Sequence, residues 1–177
     1  MVHADLELVI AADKEGYVVG ENIFLEMSLH NAGSATIRAV KYSIVPADDP
    51  NKNNLEILII DSSDKRLSRV SYVLTGRLEF YPEILRLNHG ETYRQSIQLA
   101  GTFMRTQGRK KLKQALWNFG EDPEIYSSEY PAMSPGKFRV QVIYCVTEQH
   151  LISLSEAERV TVWQGGLPSN ILEISIR

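Results

Sequence analysis

Residues Ser134–Thr147, reading SPGKFRVQVIYCVT, set the terms for the rest of the chain. Behind the Pro135-Gly136 turn, Phe138, Val140, Val142, Tyr144 and Val146 fall at every second position. Successive side chains of an extended strand point to opposite faces, so these residues share one face and Arg139 and Gln141 the other. An apolar face of that length requires a core beside it. The stretch therefore predicts the central strand of an all-β, antiparallel sandwich.

The same alternation recurs along the chain. Leu6, Leu8 and Ile10 alternate with Asp5 and Glu7, and Ile23, Leu25, Met27 and Leu29 with Glu26, Ser28 and His30. Val40, Tyr42 and Ile44 mark a further strand before Pro46. After the polar stretch 47–54, an apolar run from Leu55 to Ile60 leads through a turn at Asp61–Lys65 to a partner at Val70, Tyr72 and Leu74. Tyr93, Ile97 and Leu99 follow the Asn88–Glu91 turn. Val160 and Val162 are expected in a strand, after a loop or short helical turn at Ser153–Glu158. Residues 163–170 are expected to form a break or bulge, and Leu172, Ile174 and Ile176 the last strand. Short strands separated by turns, with no crossover helices, favour an antiparallel architecture over a parallel α/β sheet.

Residues 101–133 break this rhythm. Leu112, Ala115, Leu116 and Phe119 follow helical spacing, which predicts a short amphipathic helix from about Gln107 to Asn118, ended by Gly120. The expected organisation is one domain over residues 1–177, carrying this helical and irregular insertion. At 177 residues such a domain buries enough surface to need neither a disulfide nor a structural metal. Cys145 is the only cysteine, so no disulfide forms within the chain. The net charge of −3 disfavours a nucleic-acid partner, since phosphate binding calls for a basic excess. No apolar run reaches membrane-spanning length, so no membrane partner is expected. The start, MVHADLELVI, lacks the basic-then-apolar pattern of a signal peptide. The expected compartment is cytoplasmic, or extracytoplasmic had a leader been removed.

Gly136-Lys137-Phe138-Arg139-Val140 resembles the F strand of immunoglobulin-like domains, whose pattern is Gly-x-Tyr-x-Cys, with Phe138 in place of Tyr and Val140 in place of Cys. Tyr17–Glu21 and Leu87–Glu91 resemble the Gly-Glu entries into strands B and E of bacterial immunoglobulin-like modules. Trp163, Gly166, Leu167, Ser169 and Asn170 before the last strand resemble the close of bacterial sandwiches of this type. The resemblance covers most of the chain outside 101–133. It implies an immunoglobulin-like β-sandwich without the tyrosine corner or inter-sheet disulfide of antibody domains. Similar strand entries occur in the bacterial intracellular proteinase inhibitors, whose inhibitory-loop residues have no counterpart here.

No residue pattern declares catalysis. Cys145 lies on the strand face opposite the core and His150 lies just beyond the strand, a pairing with no distinguishing spacing. A packed or surface thiol is the simpler reading. His3, His30, His89 and His150 show no metal-ligand spacing, so no metal is assigned. Asp48, Asp49, Asn51, Asn53, Asn54 and Glu56 offer oxygens suited to calcium, but without an EF-hand register a solvated turn is preferred. No cofactor motif is present. The insertion combines Arg105, Arg109, Lys110, Lys111 and Lys113 with Trp117, Phe119, Tyr126 and Tyr130. A basic helix beside aromatics could contact an acidic protein, a phosphate-rich ligand or a membrane surface, and long inserted loops carry function disproportionately. A lid in which Leu112, Leu116, Trp117 and Phe119 cover one end of a sheet while the lysines stay solvated is the preferred reading for the lysines.

The sequence therefore predicts a non-catalytic module that binds another protein, with Arg109, Lys110, Lys113, Trp117 and Tyr126 as contact residues. A proteinase inhibitor and a carbohydrate-binding sandwich using Trp117 or Trp163 are the alternatives, and an enzyme is the least favoured. Oligomeric state is left open.

Overall fold

A computed structural model describes residues 5–21, 23–42, 54–67, 82–100 and 135–177. These residues are predominantly strand. In chain order they form β1 (Leu6–Ala12), β2 (Gly16–Tyr17), β3 (Ile23–Asn31), β4 (Ile37–Val40), β5 (Leu55–Asp61), β6 (Ile84–Leu87), β7 (Thr92–Ala100), β8 (Gly136–Val146), β9 (Gly165–Pro168) and β10 (Leu172–Ile176). Between β8 and β9 stand a 3-10 turn at Glu148–Leu151 and a single-turn helix α1 at Glu156–Arg159.

The chain is all-β, as expected. One sheet has the order β1-β3-β7, with both pairings antiparallel. A second has the order β2-β10-β8-β5, with β9 also pairing β8. The two-residue β2 runs parallel to β10, and the remaining pairs of that sheet are antiparallel. β4 and β6 form a separate antiparallel pair.

The opening stretch behaves as its alternation requires. Phe138, Val140, Val142, Tyr144 and Val146 are all buried, while Arg139 is exposed and Gln141 half-buried. β8 is central because it pairs with β5, β9 and β10. Ile23, Leu25, Met27 and Leu29 on β3 are likewise buried, and both sheets supply side chains to one contiguous core. Burying each such side chain contributes about 1.5–3 kcal/mol, so these two strands anchor the fold.

Polar residues fix the turns. Asn31 is fully buried at the end of β3. Its Nδ2 donates to the carbonyls of Ala35 and Leu87 at 2.8 and 2.9 Å, and its Oδ1 accepts from the Gly33 N–H at 3.0 Å. Gly33 packs so tightly against Asp5 that a Cβ at position 33 would lie 2.2 Å from the Asp5 Cβ.

Three expectations are corrected. The strand expected at Val40, Tyr42 and Ile44 runs instead from Ile37 to Val40, and Tyr42 lies beyond its end. Val160 is not in a strand; it caps the C-terminus of α1 with helical backbone angles and is exposed, and Val162 makes only an isolated bridge to Arg38. Residues 165–168 are not a break; they pair with β8 in the register Val146↔Gly165 to Ile143↔Pro168. The predicted helix at 107–118, the hairpin partner at 70–74 and most of the 47–54 loop lie outside the described residues.

Candidate interaction surface

The contact residues chosen from sequence, Arg109, Lys110, Lys113, Trp117 and Tyr126, lie outside the described residues. The 101–134 stretch leaves β7 at Ala100 and rejoins at β8, whose first residue is Gly136. Of the oxygen-rich 48–56 stretch, Asn54 and Glu56 are described, and both have structural work. Asn54 is buried; its Nδ2 donates to the Lys41 carbonyl at 2.9 Å and its carbonyl accepts from the Cys145 N–H at 2.8 Å. Glu56 pairs with Arg66 at 2.9 Å across the hairpin.

Cys145 is half-buried on the side of β8 opposite the core, opposite Gly166 of β9. His150 is buried. Its Nδ1 accepts the Thr147 N–H at 2.9 Å, so that nitrogen carries no proton. His89 Nδ1 lies 2.6 Å from the Gly33 carbonyl, to which it donates, and His30 Nδ1 lies 2.9 Å from the Thr92 hydroxyl. Among the described residues no group of three or more His, Cys, Asp or Glu is placed to hold a metal. Trp163 is half-buried and stacks on Tyr144, with centroids 5.4 Å apart and planes 12° from parallel. One face of its ring is thus occupied by Tyr144.

Trp163 ends a row of aromatics through the interior. Tyr144 meets Tyr42 edge-on at 5.4 Å, and Tyr42 meets Tyr93 at 5.6 Å. The Tyr144 hydroxyl donates to the Val40 carbonyl at 2.6 Å. The Tyr42 hydroxyl is buried and has no hydrogen-bond partner among the described residues. Burial raises the pKa of both phenols above the ordinary value of 10.0, and the neighbouring Tyr144 and Tyr93 raise that of Tyr42 further.

The connection from β8 to β9 is the feature that stands out on the surface. It opens with Thr147 and returns through Trp163 and Gln164. Leu151 and Val162 are buried and anchor it. Between these anchors the two short turns begin with reciprocal caps: Thr147 with His150, and Ser155 with Glu158. Glu158 Oε2 accepts the Ser155 N–H at 3.0 Å and the Ser155 hydroxyl at 2.6 Å. These bonds hold its carboxyl below the ordinary glutamate range, the hydroxyl bond contributing most. Arg159 closes the segment on itself, donating through Nε to the Leu154 carbonyl at 2.8 Å and through a terminal nitrogen to the Ile152 carbonyl at 2.9 Å. β4 grips the far end. Trp163 N–H donates to the Arg38 carbonyl at 2.7 Å, and the Arg38 guanidinium donates to the Thr161 hydroxyl at 2.5 Å.

This internally bonded segment displays two aliphatic side chains. Ile152 is 74% exposed and Val160 76%, the highest values among the large apolar residues described. Each follows a glutamate by four residues, Glu148 and Glu156, and Val160 lies one helical turn beyond Glu156 with its N–H directed to the Glu156 carbonyl at 3.3 Å. The sequence expectation of a loop or short helical turn at Ser153–Glu158 agrees with α1, but Val160-Thr161-Val162 mimics strand alternation and hides the exposure of Val160. The Ser155–Glu158 spacing, a capping-box signature, was the signal for a helix start there.

No protein-family model matches the chain, and no curated protein matches it. Among solved structures it is similar to Bacteroides uniformis β-glucuronidase 2 covalently bound to cyclophellitol-6-carboxylate aziridine, at 12% identity and a TM-score of 0.28. That match covers 92% of this chain and 12% of the glucuronidase chain, and no function is carried over from it.

Proposed function

We propose that the chain is an immunoglobulin-like β-sandwich whose role is to bind another protein without catalysis, using the β8–β9 connection as a contact surface. The observation that carries this reading is the pairing of high exposure at Ile152 and Val160 with a backbone tied down on both sides of them. An aliphatic side chain left in water forgoes about 1.5–3 kcal/mol of burial. A partner covering both recovers that, and the fixed backbone lowers the ordering cost of association. The sandwich reading draws support from strand neighbourhood: β1, β3 and β7 lie side by side, as do β10, β8 and β5, the grouping that A-B-E and G-F-C strands make in two-sheet immunoglobulin-like domains. In that correspondence the β8–β9 connection occupies an end-loop position, where such folds bind.

The basic and aromatic residues Arg109, Lys110, Lys113, Trp117 and Tyr126 form the second contact element of this proposal, on composition alone. Affinity capture from source-cell lysate with three baits tests it: the intact chain, Ile152→Ser/Val160→Ser, and a chain with 104–132 replaced by a Gly-Ser linker, each checked for folding. A partner lost by the double variant supports the β8–β9 surface. A partner lost only by the linker variant moves the contact to the insertion. Equal capture by all three contradicts both.

A further inference from the structure

We propose that the outer edge of β7 pairs with β7 of a second copy of this chain, antiparallel and about a two-fold axis at Gln95, so that the β1-β3-β7 sheets of the two copies join into one. The direction of the backbone groups follows from the ladders. The N–H and carbonyl of Ile10 go to Asn170 and so point away from β3. Met27, opposite Ile10, then points away from β1 and towards β7, and Gln95, opposite Met27, points back at β3. The Asn31 N–H, which donates to the Glu91 carbonyl at 3.0 Å, falls in the same phase. The N–H and carbonyl groups of Thr92, Arg94 and Ser96 are therefore directed outward, and none has a partner among the described residues. All three residues are exposed.

An open row of this kind is a template for another strand. The other edges are blunted. Asn170 occupies the edge of β1, and the Leu67 N–H, bonded to the Ile59 carbonyl at 2.8 Å, occupies that of β5. β2 has two residues and β6 four, and β9 carries Pro168, which has no N–H to donate. β7 has nine residues, no proline or glycine, and Arg94 as its one charge. Its own pattern suits a second copy. The regular part runs from Thr92, just past the Asn88–Glu91 turn, to Gln98, beyond which the pairing with β3 is irregular. Gln95 is its midpoint. A two-fold axis there sets Arg94 opposite the partner's Ser96, with outward groups facing each other and no like charges opposed. Tyr93 falls opposite the partner's Ile97, a favourable aromatic–β-branched pair. An axis at Arg94 instead sets guanidinium against guanidinium.

Sedimentation velocity of the full chain across the micromolar range tests the pairing, with circular dichroism to check that each variant is folded. The account predicts a reversible dimer. Ser96→Pro removes an outward N–H that the ladder to β3 does not use, so the chain should fold and dimerise several-fold more weakly. Ser96→Lys sets a cation opposite the partner's Arg94 and should also weaken the dimer several-fold, whereas Ser96→Glu sets an anion there and should tighten it. The lysine and glutamate variants keep the test decisive should the proline variant fail to fold. A dimer that responds alike to lysine and glutamate overturns the register at Gln95. A dimer indifferent to every change at Ser96, or a chain that stays monomeric throughout, overturns the pairing of β7 altogether.

Discussion

The side-chain amide of Asn170 closes both hydrogen bonds of the Ile10 residue: Oδ1 accepts the Ile10 N–H at 2.8 Å, and Nδ2 donates to the Ile10 carbonyl at 3.1 Å. One side chain thus does for β1 what a neighbouring strand would do, and joins the first sheet to the segment entering β10. Ser169 completes the joint, since its hydroxyl accepts the Val142 N–H at 3.0 Å. Asn170→Ala should lower unfolding stability by about 1–2 kcal/mol, because two backbone groups lose their partners at a partly hydrated site. Asn170→Asp should cost more at neutral pH, where a carboxylate oxygen faces the Ile10 carbonyl, and part of that loss should return in acid. Urea titrations at two pH values check both.

The two central tyrosines should respond oppositely to loss of the hydroxyl. Tyr144→Phe removes the bond to the Val40 carbonyl and leaves that oxygen unpaired, a loss of about 1–2 kcal/mol. Tyr42→Phe removes a buried hydroxyl that has no partner among the described residues, so stability should be unchanged or higher. Chemical denaturation of the two variants side by side distinguishes them. A larger loss for Tyr42→Phe would mean that its hydroxyl is hydrogen-bonded after all.

Stability should fall at both ends of the pH scale for different reasons. Burial first, and for Tyr17 also a hydrogen bond to Asp13, raises the phenols of Tyr17, Tyr42 and Tyr144 above their unfolded value of 10.0. Keeping them protonated is worth stability that is fully present below about pH 10 and is lost as pH rises from there towards the folded values. At the acid end, Glu21, Asp61, Glu91 and Glu158 accept hydrogen bonds at turns and caps and have lowered pKa values. Their contribution is present above the ordinary carboxylate range and is lost as pH falls through the folded values. Tyrosinate absorbance should show a subset of phenols ionising only together with unfolding.

Gly33→Ala should destabilise by about 1–3 kcal/mol, because the added methyl overlaps Asp5 near its backbone and the tight turn below Asn31 must shift. Thermal unfolding reads this directly, and an unchanged midpoint would mean that the Asp5 end of β1 gives way freely.

Much of the fold was legible because its main strands satisfy local and long-range demands at once. In β3 and β8 the alternating apolar residues are the ones buried. β9 was illegible for the opposite reason. Gly165, Gly166 and Pro168 have poor strand propensity, and only the ladder to β8 holds them extended. The motif before the last strand was noticed as a resemblance, but its cause, the Asn170 and Ser169 bonds to β1 and β8, depends on residues far away in sequence. The short helical turn expected at Ser153–Glu158 is borne out by α1, whereas Val160 and Val162 mimic strand alternation although Val160 caps that helix.

The central claim is that Ile152 and Val160 are held out on a pre-formed segment, and amide hydrogen exchange of the free chain tests it most directly. The N–H groups of Leu154, Arg159, Thr161, Val162 and Trp163 all donate within the segment or to β4. The account predicts exchange at these amides slowed by roughly 100-fold or more relative to an unstructured peptide. Exchange within a few-fold of the unstructured rate would contradict it, because the two aliphatics would then sit on a loose loop with no fixed surface to offer a partner.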